Sequence, residues 1–156
     1  MASETATTRL ESTTTASWRA GVAAGSLAAV VMGAMMVVQM RPVLEVAIPS
    51  MYGLMGGAAG FTIHVAHGAI LGVAFAGLVS ALDFDLDGSS RSLGAGVAYG
   101  VVLWAVLAVL VMPVWLGAVG SPANPPLPNV NVTSLVGHVV YGAVLGASYP
   151  ALDGVL

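Results

Sequence analysis

The chain has 156 residues, of which 58% are hydrophobic and 7% charged, with a net charge of −3 and a mean hydropathy of +0.94. Ordinary soluble domains carry about 25% charged residues, so a water-solvated globule is excluded, and so is a nucleic-acid footprint, which needs a basic face. The sequence has no cysteine, which excludes disulfides, thiolate metal sites and a cysteine nucleophile.

Residues 1–17 are rich in Ser, Thr, Ala and Glu, and Arg9 is their one basic residue. Such a segment cannot bury enough apolar surface to order itself, so a disordered tail is expected. Glu4 and Glu11 occupy the region that a signal peptide would make positive. Beyond it, no charged side chain occurs from Ala20 to Met40, from Val46 to Leu82, or from Ser92 to Leu152. A spanning helix needs about 20 apolar residues. The first gap holds one, the second holds one plus a connection, and the third holds two. The expectation is an all-α transmembrane four-helix bundle forming one domain over 18–156.

Helix 1 is expected from Trp18 to Met40, anchored at an interface by Trp18 and Arg19 and ended by Arg41-Pro42. In the connection 42–59, Val43, Leu44, Val46 and Ile48 beside Arg41 and Glu45 suggest a short segment lying at the membrane interface. Helix 2 is expected from Gly60 to Leu82. Asp83, Asp85 and Asp87 then make a solvated acidic turn, since the distal glutamate of an EF-hand is missing. Helix 3 is expected from Leu93 to Met112 or on to Leu116. Pro122, Pro125, Pro126 and Pro128 make the next loop stiff and extended, folding back over the bundle. Helix 4 begins near Thr133 or Ser134, either of which can cap it, and ends around Pro150. Arg9, Arg19 and Arg91 lie on the N-terminal side and Arg41 opposite. The positive-inside rule then puts both termini in the cytoplasm.

The chain reads as a duplication. Ala20-Gly21-Val22-Ala23-Ala24-Gly25 matches Ala95-Gly96-Val97-Ala98-Tyr99-Gly100 at five of six positions, 75 residues on, and 64–75 matches 138–149 at six of twelve, 74 residues on. Chance similarity rarely reproduces an offset so closely. Repeat one covers 18–82 and repeat two 92–156. Each has two crossings, so the repeats run parallel about an axis along the membrane normal. Each helix carries Gly-x-x-x-Gly, at Gly21/Gly25, Gly68/Gly72, Gly96/Gly100 and Gly142/Gly146, and small residues let helices approach closely in lipid.

His64, His67 and His138 are the three ionisable groups expected inside the spans, all about one turn from the outer ends of helices 2 and 4. Each could simply bond a nearby carbonyl. His64 and His138 could instead hold haem b from facing helices, with Gly68 and Gly142 giving room for a porphyrin. His64, His67 and His138, with Met32, Met35, Met36, Met40, Met51, Met55 and Met112 in the outer half, could bind copper. Tyr141 stands where His67 stands in the first repeat. Gln39, Arg41, Glu45, Asn124 and Asn129 could add polar groups from above a small-solute cavity. Asn131-Val132-Thr133 fits a glycosylation acceptor but lies close to the bilayer. No phosphate loop, nucleophile elbow or His-Glu-x-x-His is present.

The run Gly137-His138-Val139-Val140-Tyr141-Gly142-Ala143-Val144-Leu145-Gly146, preceded by Met112-Pro113-Val114-Trp115, resembles small four-helix membrane proteins of haloarchaea and bacteria that carry a His-x-x-Tyr-Gly-x-x-Leu-Gly ladder. That resemblance covers helices 2 to 4. It implies a polytopic membrane protein of a group largely without assigned function, and no catalytic residues. The absence of Lys and the excess of acids over arginines agree with a halophilic archaeon. The leading expectation is a non-catalytic subunit or scaffold in the cell membrane, with the lipid bilayer and either its own copies or other membrane subunits as partners. The alternatives are a haem b or copper binder and an oligomeric small-solute permease.

Overall fold

The computed structural model describes residues 18–86 and 88–156. The expected tail at 1–17 and Asp87 of the acidic turn lie outside them. Among the described residues all regular structure is helical. Four helices are long and apolar enough to cross a membrane: α1 (Trp18–Gln39), α3 (Gly57–Ala81), α4 (Ser89–Ala118) and α5 (Val132–Asp153). A short helix α2 (43–50) lies between α1 and α3. The end of the bundle that carries α2 and the loop 119–131 is its upper end, and the turn 82–88 lies at its lower end.

Helix α1 is the most enclosed of the four, and Ala20, Ala24 and Ala28 on it are fully buried. Two helix pairs dominate, α1 with α3 and α4 with α5, and α1 also packs along α5. Glycines make the first two pairs close. A Cβ added to Gly25 would lie 2.8 Å from the Cα of Gly72, and one added to Gly21 would lie 2.6 Å from the Gly72 oxygen. In the other pair, a Cβ on Gly96 would come within 2.7 Å of the Gly146 Cα, and one on Gly100 within 3.2 Å of the Gly142 Cα. Backbone therefore meets backbone, which side chains at these positions would prevent.

Three prolines inside helical stretches explain where the helix ends differ from expectation. A proline has no N–H, so the carbonyl four residues before it loses its helical partner. Each such carbonyl here is met by a donor from elsewhere. Pro49 frees Glu45 O, which accepts from the Gly56 N–H at 2.8 Å. Pro113 frees Val109 O, which accepts from the Asn129 N–H at 3.0 Å, while the Asn129 side-chain amide donates to Ala108 O at 3.4 Å. Pro150 frees Gly146 O, which accepts from the Ser92 hydroxyl in a buried bond. With those carbonyls satisfied, the helices continue. Thus α4 runs to Ala118 rather than stopping by Leu116, and α5 runs past Pro150 to Asp153. Upstream of two of the prolines the helix widens into π-helical turns, Val43–Ala47 and Trp104–Val111, a common response to an interrupted hydrogen-bond ladder.

Other boundaries also move. The cap of α5 is Asn131, not Thr133 or Ser134: its Oδ1 accepts the Ser134 N–H at 2.9 Å. Helix α3 starts at Gly57, three residues early, and closes through Asp83 in the left-handed region (φ 48°). There the Phe84 N–H reaches back to Val79 O at 2.9 Å. The segment read as lying at an interface instead buries Leu44, Ala47, Ile48 and Pro49 within the bundle, and a Cβ on Gly60 of α3 would collide with the Leu44 carbonyl. The acidic turn is tied by an exposed Arg91–Asp85 ion pair at 2.5 Å, and Arg19 stacks over Trp18 at 5.8 Å.

Candidate functional site: a histidine-lined cavity

A cavity of about 290 Å³ opens in the upper half of the bundle, and His64, His67, His138 and Tyr141 all line it. Its volume is at the small end of the usual ligand-pocket range of about 300–1,000 Å³. The remaining walls are apolar, from α1 (Met32, Met36), α2 (Ile48), α3 (Ile70, Leu71) and α4 (Leu103, Leu107, Met112). The widened π-helical stretch of α4 forms much of one wall.

Each imidazole has a specific anchor. His64 Nε2 donates across to the Ala29 carbonyl of α1 at 3.1 Å, because a carbonyl oxygen can only accept. His138 Nδ1 donates to Ser134 O one turn back on its own helix, at 2.8 Å. His67 Nε2 shares a 2.6 Å hydrogen bond with the Tyr52 hydroxyl. Tyr141, 3% exposed, sends its hydroxyl hydrogen to Gly68 O at 2.8 Å and so links α5 to α3.

The donors remaining for a metal are the second ring nitrogens of the histidines and the thioethers of Met32, Met36, Met51 and Met112. That mixture suits a soft ion such as Cu(I). Among the described residues, no three His, Cys, Asp or Glu side chains gather as a metal-binding group. Met35 and Met40 line a separate small crevice between α1 and α5 with Gln39, and Met55 is exposed. The space beside Gly142 is filled by the backbone of Gly96 and Gly100, and that beside Gly68 by Ala29 and Gly25. Gly68 nevertheless lines the cavity, whereas Gly142 does not.

Of the polar residues expected above the cavity, none lines it. Arg41 and Glu45 pair with each other at 3.2 Å on the exposed surface, and Asn129 is committed to α4. Tyr99 and Trp115 also shape the site, although no polar or charged motif in the sequence marks them. The Tyr99 hydroxyl donates to Leu71 O at 2.8 Å and its ring meets Phe75 at 5.3 Å. Trp115 lines the cavity and meets Tyr52 at 5.7 Å. Both aromatics sit on α4, and their partners lie in other segments.

Among the described residues the site thus belongs to an all-helical chain with four helices of membrane-spanning length and a small, largely apolar cavity bearing imidazoles. A family model matches residues 15–155, and the chain belongs to that family, described as a family of unknown function (DUF6789). No curated protein and no solved structure matches the chain.

Proposed function

We propose that this is a multi-pass cell-membrane protein that acts by holding a small molecule in the histidine-lined cavity, as a non-catalytic subunit of a membrane assembly. The observation that carries the reading is the convergence of all three histidines on one cavity from two helices. Ionisable groups at membrane depth are costly and usually serve a site. Among the described residues neither carboxylate nor arginine lines the cavity, so a bound molecule would meet imidazoles and apolar walls. The arginine distribution supports a cytoplasmic location for both termini and the 82–88 turn.

Within that reading the bundle is a duplicated two-helix hairpin with parallel repeats. Support comes from the glycine contacts: Gly21 meets Gly72 as Gly96 meets Gly146, and Gly25 meets Gly68 as Gly100 meets Gly142. These are the same positions under the 74- and 75-residue offsets.

The test is to extract small molecules from the purified protein in lipid nanodiscs and compare them with those from Leu107→Trp, which fills the cavity. A compound retained by the native chain and lost from the variant, at equal helicity, is the expected result. Identical extracts from the two proteins would refute a binding role for the cavity.

A further inference from the structure

Two parallel copies about a twofold axis should close alike, with α1 against α5 matching α4 against α3. They do not. The α1–α5 seam is packed, with Gly137 set against Met32 so that a Cβ there would come within 3.2 Å of the Met32 Cε. Helices α3 and α4 do not pack along their length. One substitution between the repeats accounts for the difference: Tyr99 of α4 stands where α1 has the fully buried Ala24. Tyr99 props α3 away, its ring on Phe75 and its hydroxyl on Leu71 O. Higher up, Tyr52 bridges His67 of α3 and Trp115 of α4, both at 5.7 Å between ring centres.

Between these two bridges the cavity reaches the outer face of the bundle. Ile70 of α3 lines it and is 66% exposed, and Val111 and Trp115 of α4 line it at 40% and 39%. In a bilayer that face meets acyl chains, so whatever enters here comes from lipid. The polar groups inside then select it. A neutral imidazole has one N–H, and those of His64 and His138 are spent on Ala29 O and Ser134 O. The Tyr141 hydrogen is spent on Gly68 O. On these three residues what remains is acceptor capacity: His64 Nδ1, His138 Nε2 and the Tyr141 oxygen, while the His67–Tyr52 pair at the upper rim keeps one donor hydrogen. A ligand matching them must bring its own hydrogen.

We propose that the α3–α4 seam is a lateral portal by which a lipophile with a hydroxyl head, of the phenol or quinol class, passes from the bilayer into the cavity and donates its hydroxyl hydrogen to the histidine acceptors. This rests on the membrane-embedded, ligand-binding reading above. The apolar walls take the body of the molecule, and a longer tail remains in the portal among acyl chains.

The probe pair is a ring-brominated para-heptylphenol and its methyl ether, which lacks the donor hydrogen and carries one methyl more. Both are titrated against the full chain in nanodiscs, with saturable bromine quenching of tryptophan fluorescence as the readout and empty nanodiscs as the blank. The phenol should bind about tenfold more tightly, the worth of one hydrogen bond. His138→Phe, which keeps an aromatic ring but removes the nitrogen acceptor, should bring the phenol close to the ether. Ile70→Trp should slow association about tenfold, whereas Val30→Trp, exposed on α1 away from the portal, should not. Equal binding of phenol and ether overturns the donor requirement while leaving the cavity a binding site. No saturable binding of either removes the cavity reading as well. Equal association rates in Ile70→Trp and Val30→Trp overturn the portal.

Discussion

Adding a single methyl at Gly25 is the sharpest test of how this bundle is held together. In Gly25→Ala the new Cβ would lie 2.8 Å from Gly72 Cα and 3.0 Å from Gly72 N, and closer still to Gly68 O. Ordinary contact begins near 3.4 Å, so α1 and α3 must part by about 0.6 Å at the Gly72 Cα alone. The neighbours are backbone atoms, which cannot rotate away as a side-chain tip can. Helix α1 is also held by α5 on another side, so its retreat disturbs a second interface. A radial gap of about 0.5–1 Å forfeits a quarter to a half of the dispersion well for each contact, and overpacking typically costs about 1–3 kcal/mol. We expect Gly25→Ala in the upper half of that range. Gly77→Ala is the control, because nothing lies within 4 Å of its added Cβ and alanine favours helix by up to about 1 kcal/mol. The assay is reversible unfolding of purified protein in mixed micelles of rising SDS fraction, followed by circular dichroism. If the two variants unfold at the same SDS fraction, close backbone packing does not stabilise the bundle.

Further outcomes follow from single contacts. Tyr141→Phe should cost about 1 kcal/mol in the same assay, because it removes one buried hydrogen bond to a carbonyl that can still be bonded within its own helix. Asn129→Ala should expose the loop 119–131 to protease several-fold faster, since the amide to Ala108 O is lost. Asn129→Pro should be worse, because it also deletes the N–H that meets Val109 O. Arg41→Ala should leave the unfolding midpoint unchanged within about 0.5 kcal/mol, as its pair with Glu45 is solvent-exposed.

The four long helices are legible in the sequence because the charge-free gaps mark each helix of membrane-spanning length. The glycine pairs are legible as well, since small residues at four-residue spacing have few other uses in an apolar helix. The helix ends at Pro113 and Pro150 are not. Proline is read as a stop because its missing N–H strands a carbonyl, and whether that matters depends on a donor elsewhere. Asn129 and Ser92 supply the donors, and nothing near either proline announces them. The cavity is half legible. Repeat matching puts His64 and His138 at corresponding positions, but the open seam depends on Tyr99, the one mismatch among six aligned residues. Its effect is set by Phe75 and Leu71 on another helix. The polar groups expected from the upper loops stay out of the cavity because they are taken up by one another, as Arg41 is by Glu45, or by a helix backbone, as Asn129 is.

The Asn129 contact bears on how the chain can be made. Asn129 lies sixteen residues after Pro113, so a chain that ends between the two lacks the donors that quiet the Val109 and Ala108 oxygens. On the proposed membrane location, α4 of such a chain would carry two bare carbonyls where water is scarce. A nascent chain arrested after α4 should therefore linger at the translocation channel or borrow a polar group from its surroundings. Release into the bilayer would come as one event with the loop and α5.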